Sequence, residues 1–177
     1  ILASFLLLFK KYKKENYNFN PNSKETFILA NNWFMIFYLI TVLLGTLYPI
    51  FTDVLTNYKI SVGPPFYNTV IFPIVIVFLI FMAVGPKTKW INNKFENKKV
   101  LSSILLGAIF MNLIIIYFFK GYSIISNLII ISSLFLIISS LIDLNKSFNN
   151  LKFHLARIIS HTSFGFLILF IGLNHNF

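Results

Sequence analysis

Three histidines, five acidic residues and no cysteine make up most of the acid–base and metal-binding stock of this 177-residue chain. The missing cysteines exclude disulfides, thiolate metal sites and thiol nucleophiles. No P-loop, catalytic triad, zinc-ligand spacing or carboxylate pair is present either. His154 and His175 read as plain polar residues, one in a loop and one at the chain end. His161 is different. It sits one to two turns inside the apolar run ARIISHTSFGFLILFIGLN, where an ionisable ring is costly unless it has a partner, so a function is the default reading.

On a helix, His161 shares a narrow stripe with three other residues. At about 100° per residue, Arg157, Gly165 and Gly172 lie roughly −40°, +40° and +20° from it. The stripe offers an imidazole, a cation one turn away and two gaps where a side chain would be. That set suits a haem: His161 as axial ligand to the iron, Gly165 giving the flat ring access to the backbone, and Arg157 pairing with a propionate. The same stripe also suits an interhelical hydrogen bond from His161 with glycines for close packing, or a proton or substrate relay.

The elements that must position these residues are membrane spans. The chain is 57% hydrophobic and 11% charged, with a mean hydropathy of +0.79. A water-facing domain carries about 25% charged residues, and a disordered chain far fewer Ile, Leu and Phe. Five runs reach the roughly 20 residues needed to cross about 30 Å of hydrocarbon: 27–50, 66–84, 100–119, 123–142 and 155–173. A sixth, 1–9, is too short by itself and reads as a truncated helix. The runs lack the alternation of barrel strands, so each is a helix that satisfies its own backbone. The expected fold is an all-α integral membrane protein, a polytopic bundle of five full transmembrane helices plus the truncated one, in a single domain over residues 1–177. Because the chain starts inside an apolar run at Ile1, it is expected to be a piece of a longer protein.

Charge sets the orientation. Of the fifteen Lys and Arg residues, thirteen fall in alternate gaps: Lys10, Lys11, Lys13, Lys14 and Lys24; then Lys87, Lys89, Lys94, Lys98 and Lys99; then Lys146, Lys152 and Arg157. Only Lys59 and Lys120 fall in the other two. Basic loops resist translocation, so the thirteen face the cytoplasm, and the net charge of +10 reports topology rather than nucleic-acid binding. The loops at Lys59 and Lys120 face the opposite, trans side, which in a bacterium is the periplasm.

Within this frame Gly63-Pro64-Pro65 predicts a stiff, extended entry to the second span, either a rigid interfacial turn or a periplasmic platform for a partner or cofactor. Asn31 and Asn32 lie one turn inside the first complete span, suited to interhelical bonding or to the interface. Asp143 is expected to be solvated at the cytoplasmic surface. Pro49 and Pro86 are expected to end spans, and Pro73 to kink one.

Five segments, in order, resemble the C-terminal half of the CcmF family of cytochrome c maturation proteins: SKETFILANNWF (Ser23–Phe34), LLGTLYPI (Leu43–Ile50), KISVGPPFYN (Lys59–Asn68), AVGPKTKW (Ala83–Trp90) and HTSFG (His161–Gly165). The likeness covers nearly the whole chain. The ordered series ending in ISVGPP carries the specificity, and the histidine motif alone is weak. The resemblance implies a haem lyase role: haem is accepted from the chaperone CcmE and, with the thiol-handling subunit CcmH, attached to the C-x-x-C-H motif of apocytochrome c. It further implies a transmembrane haem b held by one histidine from each half of the protein. His161 matches the second of these ligands, which leaves the other outside this chain. Family members usually read H-x-G-x-A there, whereas this chain has Ser163 and Gly165, both still small. The implied site is His161 (haem iron), Arg157 and Gly165, with Gly63, Pro64 and Pro65 on the periplasmic surface.

The implied location is the bacterial inner membrane, or the mitochondrial inner membrane for an organellar protein, among membrane lipid and with no nucleic-acid partner. The family's tryptophan-rich periplasmic segment is not formed by Trp33 or Trp90, and this polypeptide alone is expected to be inactive. Two rivals differ in class: a membrane transporter of haem or another small molecule, which would need paired breaks in equivalent helices, and a non-catalytic scaffold docking maturation partners through the Gly63-Pro64-Pro65 loop.

Overall fold

A computed structural model describes residues 23–56, 59–88, 98–118, 121–146 and 151–174. The expected short span at 1–9, Trp90 and His175 lie outside the described residues. Five helices occupy the rest: α1 (Lys24–Thr56), α2 (Pro64–Val84), α3 (Lys98–Phe118), α4 (Ile124–Lys146) and α5 (Leu151–Asn174), with a 3₁₀ turn, Gly85–Lys87, extending α2. All five are long and apolar enough to cross a membrane, and there is no strand among the described residues. The molecule is an all-α, multi-pass membrane protein.

Two helices start on a serine cap. At α1, the Thr26 amide donates to the Ser23 hydroxyl at 3.4 Å and the Phe27 amide to the Ser23 carbonyl at 3.3 Å. Ser123 does the same for α4, accepting from the Ser126 amide at 3.2 Å. Such caps satisfy donors that have no partner inside the helix. The Gly63-Pro64-Pro65 entry departs from expectation. It is not an extended platform: Gly63 is the extended cap residue, and the two prolines form the first turn of α2. A helix leaves its first amides unbonded and wants the φ that proline fixes, so a proline pair opens a helix readily.

Pro49 departs too. It was expected to end a span, yet α1 runs through it to Thr56. Proline lacks the amide that would bond the Gly45 carbonyl, and a spanning helix tolerates such a single lost bond; just beyond it Thr52 donates to the Pro49 and Tyr48 carbonyls at 2.9 and 3.1 Å. Pro86, as expected, falls where α2 gives way to its 3₁₀ turn. Pro73 lies inside α2, on its exposed face. His154, expected in a loop, belongs to the first turn of α5.

The core gathers on α4, which packs against α2, α3 and α5. Ile129, Ile130, Phe135 and Leu136 are buried there, and so are Ser126, Ser132, Ser133, Ser139 and Ser140. Small residues let spanning helices approach closely. Three of the hydroxyls donate to carbonyls one turn back, at 2.9–3.0 Å, so burial leaves no orphan donor there. Helix α1 is the outlier. Its main packing partner among the long helices is α2, pressed close where the Tyr67 ring covers Gly45, and most of its apolar side chains are exposed.

Candidate functional site

Helix α5 brings His161 and Arg157 together. Both line one cleft of about 270 Å³ between the start of α1, the end of α2 and the start of α5. Lys24, Asn31, Phe27 and Phe81 are among the other lining residues. The pairing follows from spacing, since residues four apart share a helix face. His161 and Arg157 are both half-buried. Of the two adjacent asparagines, Asn31 faces this cleft and Asn32 is exposed.

Gly165 does not line the cleft. It is buried in the seam between α4 and α5, where an added Cβ would lie 2.7 Å from Ile137 Cγ1 and 3.5 Å from the Ser133 carbonyl oxygen. Gly172, two turns on, is seated the same way against Ile129 and Ile130. The stripe therefore divides: its Arg157–His161 end opens into the cleft, and its glycine end receives α4. Gly63, Pro64 and Pro65 stand at the other end of α2. Its 21 residues rise about 1.5 Å each, which puts them roughly 30 Å from the cleft and on the opposite membrane face.

A row of phenylalanines stitches α1, α2 and α5 together above the cleft. Ring centroids are 5.1 Å apart for Phe27–Phe81, 5.6 Å for Phe34–Phe81, 5.5 Å for Phe34–Phe78 and 5.8 Å for Phe78–Phe164. Tilted and edge-on pairs at such separations are favourable beyond the area they bury. On the far side of this row, towards Tyr67 and Asn68, lies an apolar cavity of about 380 Å³. The α1–α5 groove is thus cationic at the end that holds Lys24 and Arg157 and greasy beyond.

One polar cluster was not foreseen. Asp143, expected to be solvated, is mostly buried and pairs with Lys87 at 3.1 Å. Lys87 Nζ also donates to the Ser139 carbonyl at 3.2 Å and to the Ser139 hydroxyl, which in turn donates to the Ala83 carbonyl at 3.0 Å. A lysine just past the end of α2 is cheaper inside the boundary than outside it once three acceptors surround it. The partners are 56 residues apart, a separation at which no spacing rule signals a contact.

Fold and site define a class: a multi-pass helical membrane protein with a half-buried histidine beside an arginine near one end of its bundle. The chain is 36% identical over 97 residues to the cytochrome c-type biogenesis protein CcmF of Pseudomonas fluorescens, a stretch that is 54% of this chain and 15% of that protein. It is 38% identical over 68 residues to CcmF of Escherichia coli, covering 38% of this chain and 10% of that protein. Against the biogenesis protein CycK of Bradyrhizobium diazoefficiens it is 38% identical over 72 residues, 41% of this chain and 11% of that protein. The likeness to CcmF-type proteins expected from the motifs is therefore present, but over 38–54% of this chain rather than nearly all of it, and the matched stretches span at most 15% of these relatives' lengths. No family model and no solved structure matches the chain.

Proposed function

We propose that this chain is part of a membrane subunit of cytochrome c maturation, acting in haem attachment to apocytochrome c. The observation that carries the reading is the coincidence of two things: similarity to proteins named for cytochrome c biogenesis, and His161 with Arg157 in one intramembrane cleft.

The residues of the cleft suit a haem at its edge. His161 supplies a nitrogen ligand, Arg157 a cation for a propionate, and Phe27, Phe81 and Met82 an apolar wall. At about 270 Å³ the cleft falls below the roughly 300–1,000 Å³ of pockets that enclose a ligand. It therefore forms one wall of a site, and the second axial ligand comes from outside this chain. Gly165, seated against Ile137, serves helix packing in this reading. A haem b bound there supplies one-electron transfer. The chain's own contribution would be to present His161 in the cleft facing α1 and the end of α2, to balance propionate charge with Arg157, and to shield the iron's surroundings from water with phenylalanines.

In this reading the membrane is the bacterial inner membrane, or its mitochondrial counterpart. The partners are the haem chaperone CcmE, the thiol-handling CcmH and apocytochrome c, met at the trans face near Gly63, Pro64 and Pro65. Cells lacking the intact protein should accumulate apocytochrome c without covalently bound haem, measured by haem staining of denaturing gels. Normal staining would remove the role. Haem uptake by vesicles in the absence of apocytochrome would favour transport instead.

A further inference from the structure

The cleft holds a second cation whose position the haem reading does not yet use. Lys24 and Asn31 are seven residues apart on α1, which puts them within about 20° of each other on one face, and both line the cleft opposite Arg157 and His161. The two helices present the same order. The cations Lys24 and Arg157 sit at the cytoplasmic end, and the neutral nitrogen-bearing groups Asn31 and His161 sit deeper. Two cations from different helices, with an apolar wall of Phe27, Phe81 and Met82 beneath them, match a flat amphiphile that carries two carboxylates on one edge and hydrocarbon elsewhere.

We infer that Lys24 and Arg157 bind one carboxylate each of a tetrapyrrole, whose carboxylate edge therefore faces the cytoplasmic side, while Asn31 borders its deeper edge. This rests on the haem reading of His161 and adds to it a second binding helix, a charge count and an orientation. It also gives α1 a purpose at its start: a helix whose main packing partner is α2 carries half of the anion site.

The test uses the intact protein purified with its bound haem, and reads transfer of haem to excess apomyoglobin. Lys24→Gln and Arg157→Gln should each speed release roughly tenfold, the scale of one charge-assisted hydrogen bond. Lys24→Arg should stay near wild type, and the b-type spectrum of the bound fraction should keep its shape in all three. After reconstitution with haem dimethyl ester, whose carboxylates are blocked, wild type and Lys24→Gln should release at the same rate. Equal release of ordinary haem from Lys24→Gln and wild type would overturn the inference while leaving His161 as ligand. So would a Lys24→Gln effect that survives esterification, or one that tracks loss of bound anionic phospholipid, since the cations would then serve packing or a lipid headgroup. A wild-type protein with no haem at all would instead remove the underlying reading.

Discussion

Lys87 and Asp143 show what a single pair does at a membrane boundary. Their side chains are 15% and 18% exposed, so removing one charge leaves the other poorly hydrated, whereas removing both leaves an apolar contact. Asp143→Asn should therefore lower stability by about 1–3 kcal/mol, seen as a drop in Tm in detergent. The double change Lys87→Met with Asp143→Leu should recover most of it. A double variant as unstable as the sum of its singles would mean that the pair is not coupled. This pair was illegible in the sequence because Asp143 at the end of an apolar run looks like any solvated acid. His161, by contrast, was legible as the ionisable group buried in a span, and its pairing with Arg157 followed from helical spacing. What spacing did not reveal is that Lys24 and Asn31 complete the same cleft from more than a hundred residues away.

Among the helices, the decisive seam is α4 against α5. Its closeness depends on Gly165 and Gly172 receiving Ile137, Ile129 and Ile130. Gly165→Ala should destabilise despite alanine's better helix propensity, since the new Cβ would meet Ile137 Cγ1 at 2.7 Å and overpacking costs about 1–3 kcal/mol. Combined with Ile137→Ala, the loss should be smaller than the two single losses added, measured by thermal unfolding. Strict additivity would place Gly165 somewhere other than this seam. The existence of the helices could be read from apolar runs, because lipid dictates run length and backbone satisfaction. Their partners could not, since apolar residues face lipid and protein alike. The serines of α4 are the missed signal: a span with five buried serines is marked as central, because hydroxyls beside small side chains allow neighbours to close in. The Pro49 and Gly63-Pro64-Pro65 departures share one cause. A proline was read as a break or an extended strut, when a long spanning helix can run through one lost amide bond and the unbonded first turn of a helix accepts a proline outright.

Along the whole chain, thirteen of the fifteen Lys and Arg residues fall in alternate gaps between the apolar runs. The natural chain has no cysteine, which makes single-cysteine labelling direct. In an otherwise cysteine-free intact protein, Ser61→Cys before α2 should react with an impermeant maleimide in spheroplasts. Asn145→Cys in the last turn of α4 should react only after permeabilisation. The reverse pattern would invert the bundle and put the His161 cleft on the trans side. The central claim concerns what that cleft holds, and the absorption spectrum of the purified intact protein tests it most directly. Wild type and His154→Ala should both show dithionite-reduced b-type bands of equal intensity per protein, and His161→Ala should lose most of that absorbance while remaining folded and membrane-inserted. Bands of wild-type shape and intensity in His161→Ala would contradict the assignment.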